Sequence, residues 1–219
     1  MGRSCTAIDE EGVRGFVHTP ERAGGAGLAL THGAGANCQS PLLIALADEF
    51  CRAGLTVLRY DLPFRQSRPH GPPMAGVAER DRQGVLHAIE WLKKQAPGRV
   101  FVGGHSYGGR QTTMLLASRP ELAAGLLLLS YPLHPPKRPD QLRTAHFPDL
   151  RTPALFVHGT RDGFGTMEEM RKALALIPAQ TELCMVEAAG HELLSRKNEN
   201  ELPQRIVVEF AAKFSVTTR

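Results

Sequence analysis

The stretch Val100-Phe101-Val102-Gly103-Gly104-His105-Ser106-Tyr107-Gly108-Gly109 decides the fold. Its apolar opening predicts a buried strand over Arg99 to Gly103, and the glycines that follow predict a sharp passage into a helix starting at Gly108 and reaching about Arg119. The centre, Gly104-His105-Ser106-Tyr107-Gly108, fits the pattern G-x-S-x-G. A serine between strand and helix must adopt a strained turn, and the flanking glycines leave room for neighbouring backbone. Such a turn lifts the hydroxyl above the carboxyl edge of a sheet and aims the free N–H groups of the new helix at any oxyanion formed there. Ser106 is the candidate nucleophile, and the Tyr107 amide is the first candidate oxyanion donor. The bland alternative is a glycine-rich turn that only buries a serine.

Outward from this turn, short apolar runs alternate with longer amphipathic segments. That alternation predicts an α/β fold, a mostly parallel sheet with helices on both faces, formed as a single domain over 1–219. Gly12 to His18 predicts an early edge strand, and Leu28 to Thr31 a buried strand running into the turn His32-Gly33-Ala34-Gly35. Ser40 as N-cap, Pro41 at the first helical position and Gly54 at the end bound a helix carrying Leu43, Leu46 and Phe50. Thr56 to Tyr60 predicts the next strand, and Asp61 to Met74, with four prolines and no usable period, a loop able to shape a pocket. A helix over about Gly76 to Gln95 presents Val77, Leu86, Ile89 and Leu92. Beyond the serine turn come strands at Ala124 to Leu129, Ala154 to His158 and Thr181 to Val186, a Pro-rich loop reaching about Arg151, and helices at Thr166 to Ile177 and Leu202 to Phe214.

Composition narrows the classes of function. A chain of 219 residues can bury a core that needs neither disulfide nor metal. The 26 basic residues against 22 acidic ones leave a charge of +4, scattered rather than gathered in a stripe, so a nucleic-acid partner gains no support. Cys5, Cys38, Cys51 and Cys184 show no C-x-x-C spacing, which suits a reducing compartment. No apolar run reaches membrane-spanning length and no leader-like apolar segment opens the chain, so the expectation is a cytoplasmic protein without a membrane partner. Met1-Gly2 with Thr6 matches a loose myristoylation pattern and Cys5 would offer a second acylation site, but an ordinary frayed terminus is the expected reading. Nothing calls for a cofactor or a metal, and the oligomeric state is left open.

A serine hydroxyl is a poor nucleophile at neutral pH and needs a base, which in turn needs a carboxylate to fix its tautomer. On strand-to-helix turns of this kind the order along the chain is serine, then Asp or Glu, then histidine. His191, in the small-residue loop Glu187-Ala188-Ala189-Gly190-His191, is the candidate base, while His158 at a strand end reads as a satisfied core histidine. Asp162, in His158-Gly159-Thr160-Arg161-Asp162, is the candidate acid, with a helix cap or Asx-turn as its bland role. Asp140, Asp149 and Glu187 are rivals, with Asp149 and Glu187 expected to be solvated or structural. The Ala34 amide is the second candidate oxyanion donor, and His32 is expected to brace that loop.

With these residues in place the chain resembles the α/β-hydrolase superfamily, in the small lidless form of dienelactone-hydrolase-like enzymes, over nearly its whole length. LTHGAGAN, VLRYDLPFRQSRP, GGHSYGGR and SYPLHPPKRP further resemble a branch that includes the hydrolase-like domain of a chromatin acetylation complex subunit. The resemblance implies Ser106, Asp162 and His191 as the triad, Ala34 and Tyr107 as the oxyanion hole, and hydrolysis of a small carboxylic ester or thioester through an acyl-enzyme. True dienelactone hydrolases use cysteine where this chain has Ser106. The substrate walls expected from topology are Asn37, Phe64, Arg65, His105, Tyr107, Tyr131, Leu133, His134 and Phe164, with Arg65 and Arg68 as candidate receivers of an anionic group. A binding or regulatory module with little turnover, and a small serine peptidase, are the alternative functions.

Overall fold

The computed structural model describes residues 3–217. The myristoylation signature begins on Met1 and Gly2, which lie outside the described residues. Eight strands form one sheet: β1 (Ser4–Glu10), β2 (Val13–Thr19), β3 (Gly27–Thr31), β4 (Thr56–Tyr60), β5 (Val100–His105), β6 (Gly125–Leu129), β7 (Ala154–Gly159) and β8 (Thr181–Val186). Their spatial order is β1-β2-β4-β3-β5-β6-β7-β8, antiparallel in the two pairings made by β2 and parallel from β4 to β8. The helices are α1 (Pro41–Arg52), α2 (Pro63–Ser67), α3 (Ala78–Gln95), α4 (Ser106–Ser118), α5 (Met167–Leu174) and α6 (Leu202–Phe214).

The central strands are buried throughout and mostly apolar because both faces are covered. Along β6, Leu126 and Leu128 point into a core built with α3, α4 and α5, while Leu127 and Leu129 point into the core under α1 and α6. Phe101 and Val102 of β5 divide in the same way, and Phe101 meets Phe210 and Phe214 of α6 with ring centroids 4.9 and 5.1 Å apart. This two-sided burial fixes the register, since a one-residue slip would exchange the two cores.

Two features depart from the sequence reading. The early strand is not the edge: β1 covers it, paired residue for residue from Ser4↔Thr19 to Glu10↔Val13. The segment SCTAIDE is mostly exposed, so no apolar alternation announced it. It is held instead by a two-residue turn in which Glu11 and Gly12 have φ of 52° and 77°, the mirror-image geometry that suits strand twist. Secondly, the expected loop after β4 contains the helical turn α2, started by Pro63, which packs on Gly84 of α3. Among the described residues no helix is long and apolar enough to cross a membrane.

The closeness of β5 to β6 gives a stability test. A β-carbon on Gly103 would lie 1.8 Å from the Leu127 carbonyl oxygen, a backbone atom that cannot swing away. Gly103→Ala is expected to destabilise by about 3 kcal/mol or more, whereas Gly35→Ala, with nothing within 4 Å, should stay within about 0.5 kcal/mol of the parent in urea unfolding.

Candidate active site

Ser106 sits at the junction of β5 and α4 with φ of 49°, a left-handed conformation that a β-carbon disfavours. The junction holds because the backbone around it packs without side chains: a β-carbon on Gly104 would come within 2.6 Å of the Thr31 carbonyl oxygen, and one on Gly108 within 2.6 Å of that of His32. In this position the Ser106 Oγ is 2.8 Å from His191 Nε2. His191 Nδ1 lies 2.8 Å from Asp162 Oδ2 and 3.0 Å from Oδ1. The three residues proposed from sequence therefore meet in one line of hydrogen bonds, although 85 positions separate Ser106 from His191.

Each partner is oriented from outside the line. The Asp162 Oδ1 also accepts the Phe164 amide at 2.8 Å, so the Asx-turn considered as its bland role coexists with the contact to His191. Burial pushes the Asp162 carboxyl up, but the hydrogen bond and charge of His191, with the Phe164 amide, outweigh it and hold the acid below its ordinary value. Phe164 stacks on the His191 ring at a centroid distance of 4.1 Å, so it fixes the imidazole plane. The His191 carbonyl oxygen lies 2.9 Å from His105 Nε2, which ties the His191 loop to the residue before Ser106. His158 is fully buried and donates through Nε2 to the Gly165 carbonyl at 2.8 Å, while its Nδ1 has no partner among the described residues and lies 3.8 Å from Asp162 Oδ2. Glu187 reaches only the Thr160 hydroxyl, and Asp140 and Asp149 are exposed.

The loop after β3 is braced as its composition suggested. Burial drives His32 down to about 4, so its ring is neutral at physiological pH, with Nδ1–H donating to the Gly33 carbonyl and Nε2 accepting the Leu62 amide at 3.2 Å. The Tyr107 amide, in the first turn of α4, has no intrahelical acceptor.

Several proposed substrate contacts are corrected. Arg65 is 2% exposed, and four of its five guanidinium N–H groups donate to the carbonyls of Ala34, Ala36, Arg68 and Gly71, so it is spent on backbone rather than on a substrate anion. It is the clamp of the Ala34 loop. Tyr131 is buried against Phe147 and Phe156 and donates to the Arg143 carbonyl at 2.7 Å. Leu133 packs in the core beside Gly165, and His134 is buried between the Pro135 carbonyl and Glu169. Phe64 is buried edge-on to Tyr107, and Asn37 spends its Oδ1 on the Gln39 amide. The expected walls thus lie mostly one layer behind the surface, because loops after strand ends fold back to satisfy their own carbonyls.

Sequence reading missed Asp81. It is fully buried on α3, where Oδ2 accepts the Tyr107 hydroxyl at 2.7 Å and Oδ1 the Phe64 amide at 2.9 Å. A signal existed: Asp81 shares a helical stripe with Val85, Ala88 and Leu92, so an acid stands on the apolar face. Burial pushes its carboxyl up, partly offset by Tyr107 and the Phe64 amide. A groove of about 180 Å³ was also not foreseen, lined by Ala36, Leu42, His105, Glu192 and Leu194. Among the described residues no three His, Cys, Asp or Glu side chains form a group that could hold a metal.

Fold and site together define a class, and the family model of the alpha/beta hydrolase domain matches residues 25–218: the chain belongs to that family. The dienelactone hydrolase of Anabaena variabilis superposes with a TM-score of 0.76 at 21% identity, covering 100% of both chains. A Salmonella typhimurium protein with the provisional name carboxymethylenebutenolidase is 26% identical over 221 residues, 80% of this chain and 80% of that protein. Est1E of Butyrivibrio proteoclasticus shares the fold, with a TM-score of 0.73 at 14% identity over 96% of this chain and 99% of the other.

The raised Asp81 value carries a sign. Folding favours its protonated form, so its contribution to stability declines as pH rises from the ordinary carboxylate value through the raised one. Asp81→Asn keeps an acceptor for the Phe64 amide and cannot ionise. Its stability relative to the parent should therefore improve as pH rises from 4 to 7, as read from urea midpoints across that range.

Proposed function

We propose that this protein is a serine hydrolase that cleaves a small carboxylic ester or thioester through an acyl-enzyme. The observation that carries the reading is the unbroken line from Ser106 Oγ to His191 Nε2 at 2.8 Å and from His191 Nδ1 to Asp162 at 2.8 Å. As Oγ attacks the acyl carbon, His191 takes its proton, and Asp162, ionised and accepting from Nδ1, holds the proton-accepting nitrogen towards serine. The Tyr107 and Ala34 amides receive the oxyanion, Tyr107 at the start of α4 and Ala34 on the loop clamped by Arg65. His191 then protonates the leaving alkoxide or thiolate, and a water activated by the same imidazole releases the acid.

The family and the esterase-type neighbours support hydrolysis at this site. The name of the Salmonella relative points to an enol lactone, a cyclic ester, which falls within the proposed class. The loop between β6 and β7 is folded down upon itself, through the Arg143 amide to the Leu133 carbonyl and Tyr131 to the Arg143 carbonyl, and supplies no helical cap. An open site of this size suits short acyl groups.

A fluorophosphonate probe should label the wild-type protein and leave Ser106→Ala unlabelled, with hydrolysis of short p-nitrophenyl esters lost in step. Asp162→Asn is expected to lower kcat by about 10³ to 10⁴ while keeping the fold, because the amide no longer enforces the productive tautomer. Wild-type protein that neither labels nor turns over any ester or thioester in a panel of graded acyl length would overturn the assignment.

A further inference from the structure

Of the four cysteines only Cys5 is exposed, and it belongs to a cluster of polar side chains at the outer edge of the sheet. Cys5 of β1 stands directly opposite His18 of β2, with Sγ 3.5 Å from His18 Nε2. Burial and the Arg59 charge hold His18 below its ordinary value against the opposing pull of Asp48, so its ring is neutral near pH 7. The His18 Nδ1 lies 3.1 Å from Asp48 Oδ1 of α1, and Nε2 accepts the Arg59 Nε–H at 2.8 Å. Arg59 comes from β4, lies over the Phe16 ring at 4.3 Å and turns Nη2 towards Cys5 Sγ at 3.7 Å.

Arg59 is the member that gives the cluster its chemistry. It is 5% exposed, and its hydrogen bonds go to the His18 ring, the Cys38 carbonyl at 2.8 Å and the Cys5 sulfur. Among the described residues no carboxylate lies within 4 Å of it. A buried guanidinium without a counter-charge is costly, and here its Nη2 faces a sulfur that solvent can reach. Negative charge on that sulfur is met by Arg59, the electropositive and accessible setting in which cysteines react. The other three thiols lack it, since burial pushes Cys51 and Cys184 up and Cys38 up to about 12.

The sulfur opens into a cavity of about 400 Å³, lined also by Arg3, His18, Asp48, Cys51 and Arg52. A second hollow of about 380 Å³ shares Arg3, Cys51 and Arg52 and adds Arg22 and Glu21. Asp48 is engaged by His18, and Glu49 pairs Arg52 at 2.8 Å from outside the hollows. With Arg59 behind the sulfur, the setting is cationic on balance. Three strands, β2, β4 and β3, separate β1 from β5, so the cluster is no part of the Ser106 site.

We propose that Cys5 is a thiol-modification site, which exchanges with small disulfides that carry carboxylates and ends as a mixed disulfide seated among Arg3, Arg52 and Arg59. The Cys5 sulfur attacks one sulfur of the reagent, the S–S bond of the reagent breaks, and a new S–S bond forms to Sγ. The departing sulfur takes up the proton that Cys5 gives up, so one thiol and one disulfide stand on each side and no separate oxidant enters. Arg59 offsets charge at the sulfur while His18 and the Cys38 carbonyl hold it in place, and Arg3 and Arg52 receive the carboxylates. The proposal is independent of the reading of Ser106.

The test treats the full chain at pH 7 with glutathione disulfide, which is anionic, and with hydroxyethyl disulfide, which is neutral. Adducts are followed by intact mass and located by peptide mapping. The adduct should map to Cys5 and be absent from Cys5→Ser. Normalised to the same two reactions of N-acetylcysteine amide, the preference for glutathione disulfide should be about tenfold at low salt and shrink as salt is raised. Arg3→Gln and Arg52→Gln, both on exposed side chains, should each lower that preference about threefold. Arg59→Gln should slow both reagents, with Arg59→Lys recovering part of the rate. Modification first at another cysteine, no adduct at all, or a Cys5 adduct formed without anionic preference overturns the proposal.

Discussion

A β-carbon on Gly104 would stand 2.6 Å from the Thr31 carbonyl oxygen and one on Gly109 2.7 Å from that of Gly104, so β3, β5 and the first turn of α4 touch backbone to backbone with no side chain between them. That contact is what keeps Ser106 in its left-handed conformation, because neither the strand nor the helix can retreat to relieve it. The rest of the site is arranged around a serine that cannot move. His191 reaches it from the loop after β8 and Asp162 from the loop after β7, and both loops are held together by the Arg161 amide on the Ala189 carbonyl. A hydroxyl seated in this way would need little reorganisation were its proton to leave, which is the condition that the proposed hydrolysis requires.

Around this seat runs a layer of buried polar residues, each holding one arm of the site. Arg65 clamps the Ala34 loop, His32 braces it as a neutral ring, Asp81 holds Tyr107 and the first turn of α2, and His105 holds the carbonyl of His191. None of the four is needed for the stability of a hydrophobic core, and burying them has a desolvation cost that only full hydrogen bonding offsets. Their value lies in specifying one loop arrangement out of several of similar energy.

The central strands of the sheet were legible in the sequence because they are buried on both faces and read as short apolar runs. β1 was not, since its side chains are exposed and its pairing is set by the turn at Glu11 and Gly12 rather than by hydrophobicity. The same division runs through the site. That Ser106, Asp162 and His191 would meet could be anticipated because chain order and glycine-flanked strand ends constrain them strongly. The walls could not, because placing Tyr131, Leu133 and His134 requires knowing how the loop after β6 folds back, and that is decided by carbonyls finding donors such as Tyr131 and the Arg143 amide. Asp81 lay between these cases: its position on an apolar helix face marked it as buried, while its partners Tyr107 and Phe64 come from other segments and carry no local signal.

Arg65 and Arg110 show why residue type alone misassigns charge. Both are cations of the same kind, and residue type gives no reason to separate them. Four backbone carbonyls surround the Arg65 guanidinium, so its charge is already solvated by fixed dipoles and an arriving anion would have to displace bonds that hold the Ala34 loop. Arg110 has a buried Nε without a partner among the described residues and a second guanidinium nearby, so its charge is not met by fixed dipoles in the same way. What an arginine contributes to the fold is therefore set by the state of its hydrogen-bond capacity, a property of loops that close only in three dimensions.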